Sequence, residues 1–307
     1  MKHVLVGGID RCAIVQGAWH IEDKTPEQVA GLIQLQLDRG VDFWDHADIY
    51  GAGRCEQVFG EALRRMPAAT RDRLVIQSKC GIRPGAFTQY DFSREHILAS
   101  VNGSLERLGV EKLDYLLLHR PDLLMEPEEV ASAFDTLHEQ GKVLHFGVSN
   151  CTPGQIELLK TAVRQPLEAN QLQLSLAHTL LLDAGANLNL ARDAGIGRDA
   201  GVLDYCRIHG VTVQCYSPFQ YGFFEGSFID SPEYPQLNAV LGRLAEQYGT
   251  TKNGIAAAWL LRHPAQMQVL VGTTNPERLA AIDEAADIVL TRAEWYELYA
   301  AAGNQLP

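Results

Sequence analysis

The chain has 307 residues, 46% of them hydrophobic and 21% charged, which excludes collagen-like, coiled-coil and wholly disordered chains and allows one large core. Twenty-six Lys and Arg stand against 38 Asp and Glu, a formal charge of −12. That field repels phosphate backbones and anionic lipid surfaces, so neither a nucleic-acid nor a membrane partner is expected.

In chain order, short apolar runs of strand type recur eight times: AIVQGAW (13–19), VDFWD (41–45), LVIQSK (74–79), LDYLLLH (113–119), VLHFGVS (143–149), EANQLQ (168–173), VTVQCYS (211–217) and VLVG (269–272). Helical periodicity fills the gaps: Val29, Leu32 and Ile33 in 26–39, Val58, Phe59, Ala62 and Leu63 in 55–66, then Ile97, Val101, Leu105 and Leu108 on one face. Thr25-Pro26-x-Gln28 and Thr152-Pro153-x-Gln155 read as capped helix starts, with a Pro at the first helical position and a Gln to close a capping box. Gly40 and Gly109 read as helix ends. Alternating strands and helices predict parallel strands with crossover helices, and eight such units suit an α/β fold of the closed (β/α)8 TIM barrel type, one domain over 1–307. A doubly wound open sheet is the alternative. Its dinucleotide fingerprint is missing, because Glu56 stands where Gly51-Ala52-Gly53 would need a third glycine.

Two stretches depart from this pattern and predict long loops at the carboxyl-terminal face of the barrel: 81–92, GIRPGAFTQYDF, and the Gly/Asn/Asp-rich 178–200. Loops of that length are expected to be functional or mobile. MKHVLVGGIDR at the start reads as a brief apolar patch without a cleavage signal, and no apolar run reaches about 18 residues. Cys12, Cys55, Cys80, Cys151, Cys206 and Cys215 form no C-x-x-C pair, so reduced, mostly buried thiols in a cytoplasmic protein are expected. Alternation turns Cys80 away from the barrel mouth, whereas Cys55 lies at a helix start that would lower its pKa. No heptad pattern signals an oligomer, and a monomer is expected.

Catalytic groups of such a barrel lie at the carboxyl ends of its strands. Those ends carry Asp45 and then Tyr50, Lys79, His119, Ser149 and Asn150, Gln171, Tyr216 and Ser217. A phenol, an ammonium, an imidazole and a carboxylate converging on one mouth can deliver a proton to a carbonyl oxygen. An ordinary phenol, with a pKa of about 10, is a poor acid near neutrality, but a close cation lowers that value. Lys79 reads as the cation, Asp45 as the group holding it charged, and His119 as the hydrogen-bonding partner of the substrate oxygen. At the eighth strand end, Gly272, Thr273 and Thr274 precede a helix capped by Asn275 with Pro276 at its first position. Such a helix start attracts anions, and Arg278 in its first turn can grip a phosphate. A metal-dependent hydrolase or isomerase is a competing reading, raised by Asp42, Asp45, His46 and Asp48. Strand alternation would point Asp42 and Asp45 to opposite sides, and no H-E-x-x-H or H-x-H accompanies them, so no metal is expected.

The runs FWDHADIYG, QSKCG, DYLLLHRPD and HFGVSN closely resemble the aldo-keto reductase superfamily, and the resemblance continues through EANQLQ, QCYSPF and VLVGTTNPERL, over about residues 13–285. HADIYG followed by CEQVFGEAL, with SKCGI and LHRPDLLM, is most similar to bacterial NADPH-dependent oxidoreductases of unassigned substrate. The resemblance implies reversible hydride transfer between NADP(H) and a small-molecule aldehyde or ketone, with Tyr50 as general acid assisted by Lys79, Asp45 and His119. It also implies that Ser149, Asn150 and Gln171 hold the nicotinamide carboxamide, that Tyr216 stacks on the ring, and that Ser217 meets the pyrophosphate. Arg278 is then the partner of the 2′-phosphate. The chain departs from the family pattern at Gly272, where many members carry Lys. It departs again at Ala281 and Ile282, which replace a Glu-Asn pair, and in FQYGFFEG after the seventh strand, which replaces a glycine-rich loop. A non-catalytic, NADPH-binding redox reporter is the alternative reading. Candidate substrate contacts are Trp19, Phe87, Tyr90 and Arg120, with parts of 178–200 and 219–228. Aromatic walls would favour apolar carbonyl compounds, and an inward Arg120 would favour a carboxylate or phosphate.

Overall fold

The computed structural model describes residues 1–222 and 225–307, and it begins with an antiparallel hairpin, β1 (His3–Val6) and β2 (Ile9–Cys12). Gly7 and Gly8 form its turn with φ of 58° and 82°, a backbone that only glycine adopts without strain. Eight parallel strands follow: β3 (Ile14–Gly17), β4 (Phe43–Asp45), β5 (Val75–Cys80), then, after a small hairpin of β6 (Ile82–Arg83) and β7 (Gln89–Tyr90), β8 (Leu113–Leu118), β9 (Val143–Ser149), β10 (Leu167–Gln173), β11 (Thr212–Tyr216) and β12 (Gln268–Val271). Each barrel strand pairs with the next in the chain, and β12 pairs back on β3 with Val269 opposite Ile14. The fold is a closed (β/α)8 barrel, and the β12–β3 ladder rules out the open sheet.

Local chemistry starts and stops the helices where the sequence predicts. Thr25 and Thr152 each accept from the backbone three residues on, and Gln28 and Gln155 close both capping boxes. Gly109 ends the helix Arg94–Leu108 in left-handed backbone. The helix Lys252–Leu261 is buried from Gly254 to Leu261, on every side. An all-apolar helix of this kind needs cover on both faces. It packs on β12 and on the helices Pro276–Ala285 and Pro235–Tyr248, and through Trp259 on the helix Arg292–Ala301. Trp259 and Trp295 stack at 4.9 Å, each indole N–H donating to the other's backbone carbonyl at 3.0 and 3.1 Å.

The first hairpin covers the amino-terminal end of the barrel. Thr212 Oγ1, at the start of β11, donates to the Leu5 carbonyl, and the Arg11 guanidinium lies 5.7 Å from the centre of the Tyr115 ring. Segment 178–200 contains a helix, Leu180–Ala186, and is tied to the carboxyl-terminal residues. Tyr299 donates to Asp183 at 2.7 Å, Thr179 to Asn304 at 2.8 Å, and Asn187 to the Gln305 carbonyl at 3.1 Å. Among the described residues no helix is long and apolar enough to cross a membrane.

Candidate active site

The carboxyl ends of the strands open into a cavity of about 910 Å³. At its base, β4 and β5 pair with Asp45 opposite Gln77, so alternation brings Lys79 onto the same inner face as Gln77. Lys79 and Asp45 are both buried, and the ammonium donates to Asp45 Oδ1 at 2.7 Å, to Oδ2 at 2.6 Å and to the His46 carbonyl at 2.7 Å. All three ammonium protons are thus placed on oxygen. Past Asp45 the chain turns back over the mouth because Gly51, Ala52 and Gly53 are all left-handed, with φ of 54°, 53° and 88°. This turn sets Tyr50 above the pair, with Lys79 Nζ 5.0 Å from the centre of its ring. The His119 ring stands edge-on to Tyr50 at 5.9 Å, and the Trp19 ring stacks on Tyr50 at 5.8 Å.

Burial sets the protonation states here. It raises the Tyr50 hydroxyl well above its ordinary value, with the Asp45 charge adding to the effect. Burial and the Asp45 charge thus outweigh, at Tyr50, the lowering expected from the Lys79 cation, whose protons are committed to Asp45 and His46. His119 is held well below its ordinary value by burial, then by Lys79 and Arg120, so its imidazole is neutral. Lys79 is itself pulled down by burial, and the Asp45 carboxylate pushes back.

Across the cavity a second polar row is ordered by its own hydrogen bonds. Ser149 Oγ donates to the Gln171 carbonyl at 2.9 Å, Asn150 Nδ2 to Ser149 Oγ at 2.7 Å, Tyr216 to Asn150 Oδ1 at 3.0 Å, and Arg120 to the Tyr216 hydroxyl at 3.3 Å. Asn150 and Ser217, just past the ends of β9 and β11, both take left-handed backbone. Gln171 Nε2 faces downward, donating to Asp45 Oδ1 at 3.1 Å and to Gln214 Oε1 at 3.2 Å. At the far end lie Gly272, Thr273 and Arg278, the guanidinium donating to Thr273 Oγ1 at 3.4 Å.

The cavity thus brings together Asp45, Tyr50, His119, Ser149, Asn150, Gln171, Tyr216, Ser217, Gly272, Thr273 and Arg278, with Trp19, Tyr90 and Arg120 at its rim; Lys79 lies just beneath. Other expected residues lie off the wall. Phe87 sits in the turn between β6 and β7 and is 70% exposed, off the cavity wall. Thr274 and Asn275 are not on the wall either; Asn275 caps its helix by accepting from the Arg278 backbone at 2.9 Å. No residue of 178–200 reaches the wall, because that segment is tied to the carboxyl-terminal residues. Of 219–228, Phe219, Gln220 and Ser227 line it, while residues 223 and 224 lie outside the described residues. Cys55 is buried and its thiol is pushed up to about 11 by burial and Glu22, against the expected lowering.

The four residues of the metal reading face different surroundings. Asp42 accepts from the Cys12 thiol, Asp45 holds Lys79, His46 packs edge-on to Phe59 at 4.4 Å, and burial and Glu56 raise Asp48 to about 7. Sequence reasoning missed Thr88, Ile49, Leu270, Asn253 and Asp230 on the wall. Thr88 was within reach, since it lies in the loop 81–92, two residues before Tyr90. Asn253 and Asp230 come from loop and helix-start positions that carry no strand-end signal.

The family model described as "Aldo/keto reductase family" matches residues 13–302. Oxidoreductase YdhF of Escherichia coli (strain K12) is 37% identical over 304 residues, covering 95% of this chain and 94% of that protein. A 6-dehydroglucose reductase of Agrobacterium fabrum is 34% identical over 299 residues, covering 94% and 93%. Among solved structures, the thermostable aldo-keto reductase Tm1743, crystallised with the inhibitor epalrestat, superposes with a TM-score of 0.77 at 24% identity. That superposition covers 98% of this chain and 100% of the other, and it attests to the fold.

Proposed function

The chain belongs to the aldo/keto reductase family of oxidoreductases, and from that premise we propose that it reduces a small-molecule aldehyde or ketone to an alcohol with NADPH. One observation carries the reading: Tyr50, with His119 beside it and the Lys79–Asp45 pair beneath, faces a cavity lined by Ser149, Asn150, Gln171 and Tyr216. The donor set suits a nicotinamide carboxamide. Gln171 spends its side-chain N–H groups inward on Asp45 and Gln214, which leaves its side-chain oxygen Oε1 to accept from an amide. Thr273 and Arg278 at the helix start suit a phosphate, and on them rests the preference for NADPH over NADH.

When bound, NADPH supplies the hydride. The chain's own residues handle the proton. Burial keeps the Tyr50 hydroxyl protonated at neutral pH, ready to give its proton to the carbonyl oxygen. A stronger phenol is not needed, because an alkoxide is more basic than a phenolate and the transfer runs downhill. The Lys79 charge, 5.0 Å from the ring, stabilises the phenolate as it forms. His119, a neutral imidazole, hydrogen-bonds the same carbonyl oxygen and fixes its position. Trp19 and Tyr90 give the rim aromatic walls and Arg120 gives it a cation. The substrate screen therefore spans aromatic aldehydes, anionic aldehydes and, from the name of one relative, oxidised sugars.

The test is a titration with NADPH and with NADH followed by quenching of intrinsic fluorescence, repeated on Arg278→Ala and joined to a screen of carbonyl compounds. Micromolar binding of NADPH, weakened sharply by Arg278→Ala, is expected. Tyr50→Phe is expected to bind NADPH as the parent does and to turn over nothing. Failure of the folded protein to bind either nucleotide would end the reading, and substantial turnover by Tyr50→Phe would remove Tyr50 from the acid role.

A further inference from the structure

Below Asp45 the barrel interior is unexpectedly polar. Strand register sets Gln171, Gln214 and Gln268 in one row across β10, β11 and β12, and sets Gln77 beside Asp45 across β4 and β5. Gln77, Gln214 and Gln268 are fully buried. Gln77 and Gln214 form a reciprocal amide pair, Gln77 Nε2 donating to Gln214 Oε1 at 2.9 Å and Gln214 Nε2 to Gln77 Oε1 at 3.0 Å. Gln214 Nε2 donates again to Gln268 Oε1 at 2.9 Å, and Gln268 Nε2 donates to the Cys12 carbonyl at 2.9 Å. At the upper end Gln77 Nε2 donates to Asp45 Oδ1 at 2.6 Å.

This chain of amides has a direction. Asp45 Oδ1 accepts from Lys79, Gln77 and Gln171, and Oδ2 accepts from Lys79. Moving the carboxylate off this position would leave the Gln77 amide short of an acceptor or force it to flip, which breaks the pair with Gln214 and unseats the bond to Gln268. Buried polar groups are costly to leave unpaired, and linked ones strengthen one another, so the whole chain resists that change.

We propose that Gln77 and Gln214 are positioning residues of the reaction: their amides hold the Asp45 carboxylate in place, and through it fix the Lys79 ammonium beneath Tyr50. The inference rests on the reading of Tyr50 and Lys79 as the proton-delivering pair. Neither glutamine lines the cavity, so neither touches substrate. Gln77 sits two residues before Lys79 and Gln214 two before Tyr216, one step deeper on the same inner faces.

The test compares the full-length parent with Gln77→Met, Gln214→Met and Gln268→Met, which keep volume and remove the amide. Four quantities are read: kcat, KM for the carbonyl substrate, NADPH affinity by fluorescence quenching, and the thermal midpoint. The expectation for Gln77→Met is a kcat lower by about ten- to hundredfold, the scale of a hydrogen bond to a charged group, with KM and NADPH affinity within about twofold. Gln214→Met is expected to lose less, and Gln268→Met about two- to threefold, a grading by distance that general loosening would not produce. The inference is overturned if Gln77→Met folds and keeps kcat within about twofold of the parent, or if its losses fall equally on KM and NADPH affinity. Should Gln77→Met fail to fold, Gln214→Met, which does not touch Asp45, carries the same test. A parent that reduces no carbonyl compound with NADPH overturns the functional reading and this inference with it; an active parent with an indifferent Gln77→Met overturns the inference alone.

Discussion

On the outward side of β4, β5 and β11 stand Trp44, Ile76 and Val213, buried under the helices, with Trp44 against Phe59 at 5.0 Å. One residue along the same strands, on the inward side, stand Asp45, Gln77 and Gln214, joined by hydrogen bonds from 2.6 to 3.0 Å. The outer face is held by dispersion and burial, which ask for volume and tolerate a change of atoms. The inner face is held by donors and acceptors, where exchanging one atom for another leaves a buried group unpaired. One wall therefore separates the two tasks of the molecule. The outer side contributes stability through packing, and the inner side positions the charge beneath the candidate acid.

The largest test of that division is Lys79→Met. It leaves the Asp45 carboxylate buried without its cation, so a stability loss of about 3–5 kcal/mol is expected in urea unfolding, with turnover reduced to background. Leu241→Ala, in the helix Pro235–Tyr248, probes the outer layers. It is expected to cost about 2–5 kcal/mol in the same unfolding experiment while leaving kcat and KM per folded molecule unchanged. A change in KM there would show that the two sides are coupled.

Asp48 sharpens the comparison by pH. Its carboxyl is raised from 3.8 to about 7 by burial and by Glu56, so the folded chain holds a proton that the unfolded chain releases. That contribution is fully present below about pH 4 and is lost as pH rises through about 7. Asp48→Asn is expected to remove this decline, leaving a variant more stable than the parent above neutrality by on the order of 4 kcal/mol. Denaturant midpoints at both ends of the window decide it; identical slopes for parent and variant would mean that Asp48 does not titrate there. Smallest is Asn275→Ala, which removes the cap of the helix carrying Arg278 and is expected to cost about 1 kcal/mol. A shift in the thermal midpoint would report the loss, and a drop in NADPH affinity would show that the cap also orders the anion end.

Much of this was legible from residue spacing. Eight apolar runs, two capping boxes and the strand-end residues Asp45, Lys79 and His119 sufficed for the barrel and one wall of its mouth, because alternation and strand polarity are local properties. The amino-terminal hairpin was also readable in principle: Gly7-Gly8 between alternating residues is a hairpin turn, and only its shortness disguised it. The inner glutamines carry the same alternation as Lys79 and Tyr216 but read as strand filler, because their meaning lies in partners on other strands. Phe87 and segment 178–200 were misplaced for a different reason. Composition marks a loop, but its direction depends on bonds such as Tyr299 to Asp183 that span the chain. The raised Tyr50 hydroxyl was likewise hidden, because burial is a property of the assembled mouth.

The hairpin at the amino-terminal end of the barrel has a consequence for traffic. With Thr212 fastened to Leu5 and Arg11 lying over Tyr115, the barrel is a vessel closed at its foot, and arrivals and departures share the mouth. A molecule that reaches Tyr50 therefore comes in over the loops at the carboxyl ends of the strands, and those loops are also its way out.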